Sequence, residues 1–98
     1  MAGTIAITAD NRWSVAGWLF DWTLGVLADR VTEPQLKAEL EEIVAESLGW
    51  LSLTEYGSSA EREMRAILRD QLVAAADEQL ADREGAIELL RELSVAVT

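Results

Sequence analysis

An all-α fold, a small antiparallel bundle of about four helices, is what this chain predicts. Composition is the first reason: Leu, Ala and Glu dominate and there is a single proline, which favours helix. Periodicity is the second, because apolar residues recur at three- and four-residue intervals in successive stretches joined by short loops. Length is the third. The 98 residues suit one helical domain, residues 1–98, and a chain half apolar has enough material for one core.

Taken in order, residues 4–8 read Thr-Ile-Ala-Ile-Thr, an alternation that adds a short N-terminal strand to the expected bundle. Residues 50–54 and 94–98 alternate in the same way, so a minor sheet is the competing reading of these runs. Helix one is expected over residues 14–30, capped by Ser14 or, a turn earlier, by Asp10 or Asn11. It is apolar on nearly all sides: Trp13, Phe20, Leu24 and Leu27 on one, Trp18, Leu19, Trp22 and Val26 on the other. Such a helix packs on more than one face. A narrow stripe of Gly17, Asp21, Gly25 and Ala28 runs between the two sides and invites close approach of another helix.

Helix two is punctuated by Thr32 as N-cap, Glu33 in the first turn and Pro34 at the start, with Gly49 as its stop. Leu36, Leu40, Ile43, Val44 and Leu48 form its buried stripe. Glu39, Glu42 and Glu46 lie opposite, and Lys37 stands four residues before Glu41. Helix three opens at Ser58, with Glu61 three residues later as in a capping box, and carries Met64, Ile67, Leu68, Leu72 and Ala75 on its apolar face. Asp82 is the expected cap of a fourth helix bearing Ala86, Leu89, Leu90 and Leu93, where Gly85 disfavours one long continuous helix.

The chemistry is narrow. With no Cys and no His, neither a disulfide nor a thiolate metal site can form, and the commonest general base is missing. The serines have no imidazole to activate them, and Lys37 sits among carboxylates that keep it protonated. Glu39, Glu42 and Glu46 share a solvated face, which suits charge presentation better than acid–base work. No calcium loop and no glycine-rich phosphate cradle is present. Neither cofactor, metal nor enzymatic activity is expected.

Eighteen acids against eight bases give a formal charge of −10, which repels nucleic acid and anionic membrane and attracts basic protein surfaces. The apolar run 13–28 contains Asp21 and is shorter than the roughly 20 residues a spanning helix needs, so a membrane-associated regulator anchored there is a minor alternative. The absence of Cys suits a cytoplasmic location. Four tryptophans in so small a chain suggest more than core filling, because exposed indoles anchor interfaces. Asp21, amid Trp18, Phe20 and Trp22, is either held by an indole N–H or an arginine such as Arg30 or Arg65, or offered to a partner. The expected function is therefore binding of a basic protein partner through Glu39, Glu42, Glu46, Trp50, Trp18, Trp22 and Asp21. Size, acidity and lack of cysteine resemble the bacterial immunity proteins that neutralise secreted toxins. That resemblance implies inhibition by occluding a basic toxin surface. A homodimer built through helix one is the other alternative.

Overall fold

The short N-terminal strand expected at residues 4–8 forms, and strand also occupies residues 11–16, where helix one is expected to begin at Ser14. The computed structural model describes residues 2–97. Over these the chain forms β1 (Ala2–Thr8), β2 (Asn11–Ala16), α1 (Gly17–Arg30), α2 (Pro34–Ala45), β3 (Trp50–Ser52), a short 3-10 helix (Leu53–Tyr56), α3 (Ser58–Asp70), α4 (Leu72–Gln79) and α5 (Glu84–Ala96). The expected all-α four-helix bundle is thus replaced by a mixed fold of five α-helices and a three-stranded sheet of order β2-β1-β3.

Side-chain alternation builds the sheet. Ile5 and Ile7 of β1, Trp13 and Val15 of β2, and Leu51 of β3 are buried, while Arg12, Ser14 and Trp50 stay exposed. Antiparallel pairing sets Ile5 opposite Trp13 and Thr4 opposite Ser14, with a register shift between Ala6 and Thr8. On the far side β3 runs parallel to β1, Ile5 beside Leu51. The hydroxyls of Thr4 and Ser14 lie 2.9 Å apart across the outer face. Ser14, the expected cap of helix one, is therefore a strand residue. α1 begins three residues later, at Gly17, with no side-chain cap.

α1 lies at the centre of the molecule, against the sheet, α2, α3 and α4. That explains why its apolar residues surround it instead of forming one stripe. Phe20, Leu24 and Leu27 are fully buried in one core with Ile5, Leu40, Leu51, Leu53, Met64, Leu68, Leu72, Leu90 and Leu93. Trp13 belongs to that core, and its Nε1 donates to the Leu89 carbonyl at 2.9 Å, which ties β2 to α5. Residues 13–28 do not make one apolar rod, since residues 13–16 are strand. No helix among the described residues is long and apolar enough to cross a membrane.

The caps differ from expectation as well. Glu33, not Thr32, is the N-cap of α2, with Pro34 at its first position. Thr32 instead gives its N–H and hydroxyl to Glu63 of α3, at 3.0 and 2.7 Å. α2 ends before Gly49: Ser47 adopts φ 52°, its N–H reaching the Val44 carbonyl while Leu48 N–H reaches that of Ile43. This is a Schellman ending built on a serine. Ser58 is the first residue of α3, Gly57 is its N-cap, and no capping-box bond forms. Glu61 pairs with Arg65 at 2.8 Å instead. The third helical pattern breaks at Gln71 into α3 and α4, and Arg83, not Asp82, precedes α5. Residues 94–96 belong to α5, so the alternation read there is helical; Thr98 lies outside the described residues.

Candidate docking surface on α1 and α2

α1 and α2 are joined by only three residues, 31–33, and pack side by side. Leu24 and Ala28 face Leu40 and Val44 along a groove of about 380 Å³ whose rim carries Asp21, Asp29, Glu41 and Lys37. Leu24 and Leu40 are fully buried in the core and Ala28 nearly so, which leaves half-buried Val44 and exposed Gly25 and Ala45 as the apolar part of the groove that meets solvent. Three carboxylates against one ammonium make the rim negative. Among the described residues no group of three or more acids converges closely enough to hold a metal ion, so the rim acids are spread along the groove.

Gly25 forms the lip of this groove. An ideal Cβ placed there meets no atom within 4 Å, so the small-residue stripe leaves open space where the sequence suggested close helix approach. Asp21, on the same stripe, is only partly buried. Neither suggested arginine takes it: Arg30 Nη1 donates to Gln71 at 2.9 Å, and Arg65 serves Glu61 and the Ile7 carbonyl. No indole holds it either, since Trp13 donates to Leu89 and Trp22 to Gln79 Oε1 at 3.1 Å. Its carboxylate faces the groove.

The other acids proposed for the site lie elsewhere. Glu42 and Glu46 are exposed on the opposite flank of α2. Glu39 faces Glu55 and Tyr56 across a separate depression. There the Tyr56 phenol is pushed above its ordinary value of 10.0, first by burial and then by the carboxylates of Glu39 and Glu55. The glutamate row and Asp21 thus belong to two different surfaces, separated by the buried ridge of Leu36, Leu40 and Ile43.

The tryptophans are dispersed too. Trp18 is 46% exposed and Trp50 41%, and each lies beneath an arginine: Arg83 is 4.8 Å from the Trp18 ring centre and Arg12 5.4 Å from that of Trp50. Stacking of this kind contributes about 0.5–1 kcal/mol at an exposed site. Arg12 and Trp50 occupy the two edge strands, so their contact passes over β1, where small Ala6 makes room and is itself covered. Trp50 therefore stands on the outer sheet face, away from the groove. Trp18 and Trp22 stand on α1 in the turns before Gly25. Their spacing to Gly25 and Asp29, four, three and four residues, puts all four on one side of the helix.

Sequence reasoning singled out Asp21, Trp18 and Trp22 but missed Asp29 and set Glu41 beside the glutamates of the other flank. The signal was present in part: Asp29 continues the Trp18–Trp22–Gly25 spacing. What pairs with it from α2 depends on how the two helices rotate against each other. No protein-family model, no curated protein and no solved structure matches the chain.

Proposed function

We propose that this chain is a non-catalytic binding module for a cationic protein, with α1 and the flank of α2 as the contact surface. The observation that carries this reading is the acidic rim of the α1–α2 groove, Asp21, Asp29 and Glu41 against Lys37 alone, on a chain of formal charge −10. Charge of this sign accelerates encounter with a basic surface, and partly exposed apolar side chains beside the rim supply lasting affinity. Trp22 and Trp18, one and two turns before Gly25, carry the apolar contact beyond the groove. The specific form we favour is inhibition by occlusion, in which the module covers the working surface of a basic toxin. Glu39, Glu42 and Glu46 then act at long range, raising the encounter rate without entering the contact.

Calorimetric titration against a basic secreted domain encoded beside this chain tests the reading at two ionic strengths. Stoichiometric binding that weakens as salt rises is expected. Absence of binding to any basic domain, or binding indifferent to salt, refutes it.

A further inference from the structure

We infer that the free edge of β2 is a self-association surface, where β2 of a second copy adds antiparallel about a two-fold axis at Ser14 to make one continuous sheet. This goes beyond the protein-binding reading and stands apart from it, since β2 lines no part of the α1–α2 groove. Backbone direction locates the free groups. The Thr4 N–H reaches the Gly49 carbonyl at 2.9 Å, so Thr4 and, two residues on, Ala6 turn their backbone groups toward β3. Gly3 and Ile5 therefore turn theirs toward β2, where they lie opposite Val15 and Trp13. Arg12, Ser14 and Ala16 alternate with those two, so their backbone groups point away from β1, out of the sheet. Among the described residues no loop or neighbouring element bonds to the backbone of Arg12 or Ser14 on that side. The Ala16 carbonyl opens α1, which leaves its N–H.

Sheet edges are normally blunted by charge, proline, a bulge or brevity. β3, the opposite edge, is three residues long. β2 has six and no proline, and the register shift lies beside its Asn11 end. Its one charge is drawn inward: the Arg12 guanidinium lies across β1, 5.4 Å from the Trp50 ring centre. The Ser14 hydroxyl likewise turns inward, 2.9 Å from that of Thr4. Charge selects the occupant. A chain of formal charge −10 repels its own copies over most of its surface, yet Arg12 is the only charged residue in the three strands. A copy meets no carboxylate there, and a cationic partner finds no counter-charge. β2 is also complementary to itself. Centred on Ser14, the pairing stays within residues 12–16, clear of the register shift. The two Ser14 residues exchange both backbone bonds. Each Ala16 N–H donates to the Arg12 carbonyl of the other copy, and Trp13 lies beside Val15 on the covered face.

Sedimentation equilibrium of the full chain, from about 1 to 200 μM, reads the association by mass action. Wild type should approach twice the mass of one chain as concentration rises. Ser14→Glu and Ser14→Lys each set like charges directly opposite across the axis and should weaken self-association at least tenfold. An equimolar mixture of these two variants should regain it, because the charges then attract. Ser14→Pro should weaken it as strongly while keeping the circular dichroism of wild type, since the N–H it removes faces out of the sheet. A wild type monomeric over the whole range overturns the inference. So does a dimer that survives Ser14→Glu or Ser14→Lys, or a mixture of the two that stays monomeric. Unfolding of Ser14→Pro overturns the outward direction of that N–H and the free edge with it. Binding of a cationic protein is judged separately, by the titration with whole basic domains.

Discussion

Replacing Gly3 by alanine separates what the local sequence favours from what the packing allows. In a strand, alanine is preferred over glycine by roughly 0.5–1 kcal/mol through chain entropy, so local reasoning expects a gain. The tertiary structure expects the reverse. An ideal Cβ at Gly3 would lie 2.2 Å from Cγ and 2.3 Å from Cβ of Phe20, against an optimal carbon separation of about 3.5–4.0 Å. Rotation of the ring does not relieve this, because Phe20 Cβ is fixed to the α1 backbone and the side chain is fully buried. β1 and α1 must separate, or Phe20 must leave the core. Overpacking of this kind costs typically 1–3 kcal/mol and occasionally more. With so direct a clash, a net loss of about 2–3 kcal/mol is expected, equivalent to a fall in Tm of roughly 8–24 °C for a chain this size. Urea unfolding followed by tryptophan fluorescence measures it. Phe20→Gly, which removes the clashing Cβ together with the ring, should cost less in the Gly3→Ala background than in the parent, with a coupling of about 1–3 kcal/mol. A Gly3→Ala protein as stable as its parent, or strictly additive losses, would refute the packing described for β1 and α1.

Other substitutions test the helix ends and the lip of the groove. Ser47→Gly should stabilise by about 1 kcal/mol, because it removes the left-handed strain of a side chain at φ 52°; no change in the urea midpoint would contradict the Schellman ending. Gly57→Ala should destabilise by about 1–3 kcal/mol, since φ 90° with ψ 158° is a region essentially closed to residues with a Cβ; equal stability would place the start of α3 elsewhere. Gly25→Ala should raise stability by about 0.8–1 kcal/mol through helix propensity, and a loss would mean that something occupies the lip. Tyr56 is the one tyrosine, so alkaline absorbance reports it alone. Burial, with Glu39 and Glu55, favours the neutral phenol in the folded state. Its contribution to stability is therefore intact below the ordinary value of 10.0 and is lost as pH rises from there through the folded midpoint. Glu39→Gln should lower that midpoint; a wild-type midpoint at or below the ordinary value would contradict the environment described.

Much of the chain follows from local rules, and its failures have identifiable causes. Pro34 and the stripe of Leu36, Leu40 and Ile43 locate α2, and Met64, Ile67 and Leu68 locate the buried face of α3. The run around Trp13 carries two periods at once. Trp13 and Val15 alternate with Arg12, Ser14 and Ala16 as a strand does, yet they also open an apolar stretch that continues at helical spacing. Locally both descriptions are acceptable. Pairing with β1 decides between them by burying Trp13 opposite Ile5, and no residue of 11–16 contains that information. The caps Thr32 and Ser58 failed for a related reason: each is a good cap in isolation, but Glu63 claims Thr32 and Gly57 precedes Ser58 at the helix start.

Composition and periodicity by themselves determined a strongly acidic, helix-rich chain with one core's worth of apolar residues and no histidine or cysteine chemistry, because these are properties of residue type and spacing. Alternation at residues 4–8 and 50–54 marked candidate strands, but tertiary structure alone decided that residues 11–16 join them in a sheet, that α1 is enclosed by its neighbours, and that Asp21 joins Asp29 and Glu41 while Glu39, Glu42 and Glu46 face another way. The physical reason is that strand pairing and helix rotation depend on partners distant in sequence, and a stripe of residues becomes a surface only when its neighbours leave it uncovered.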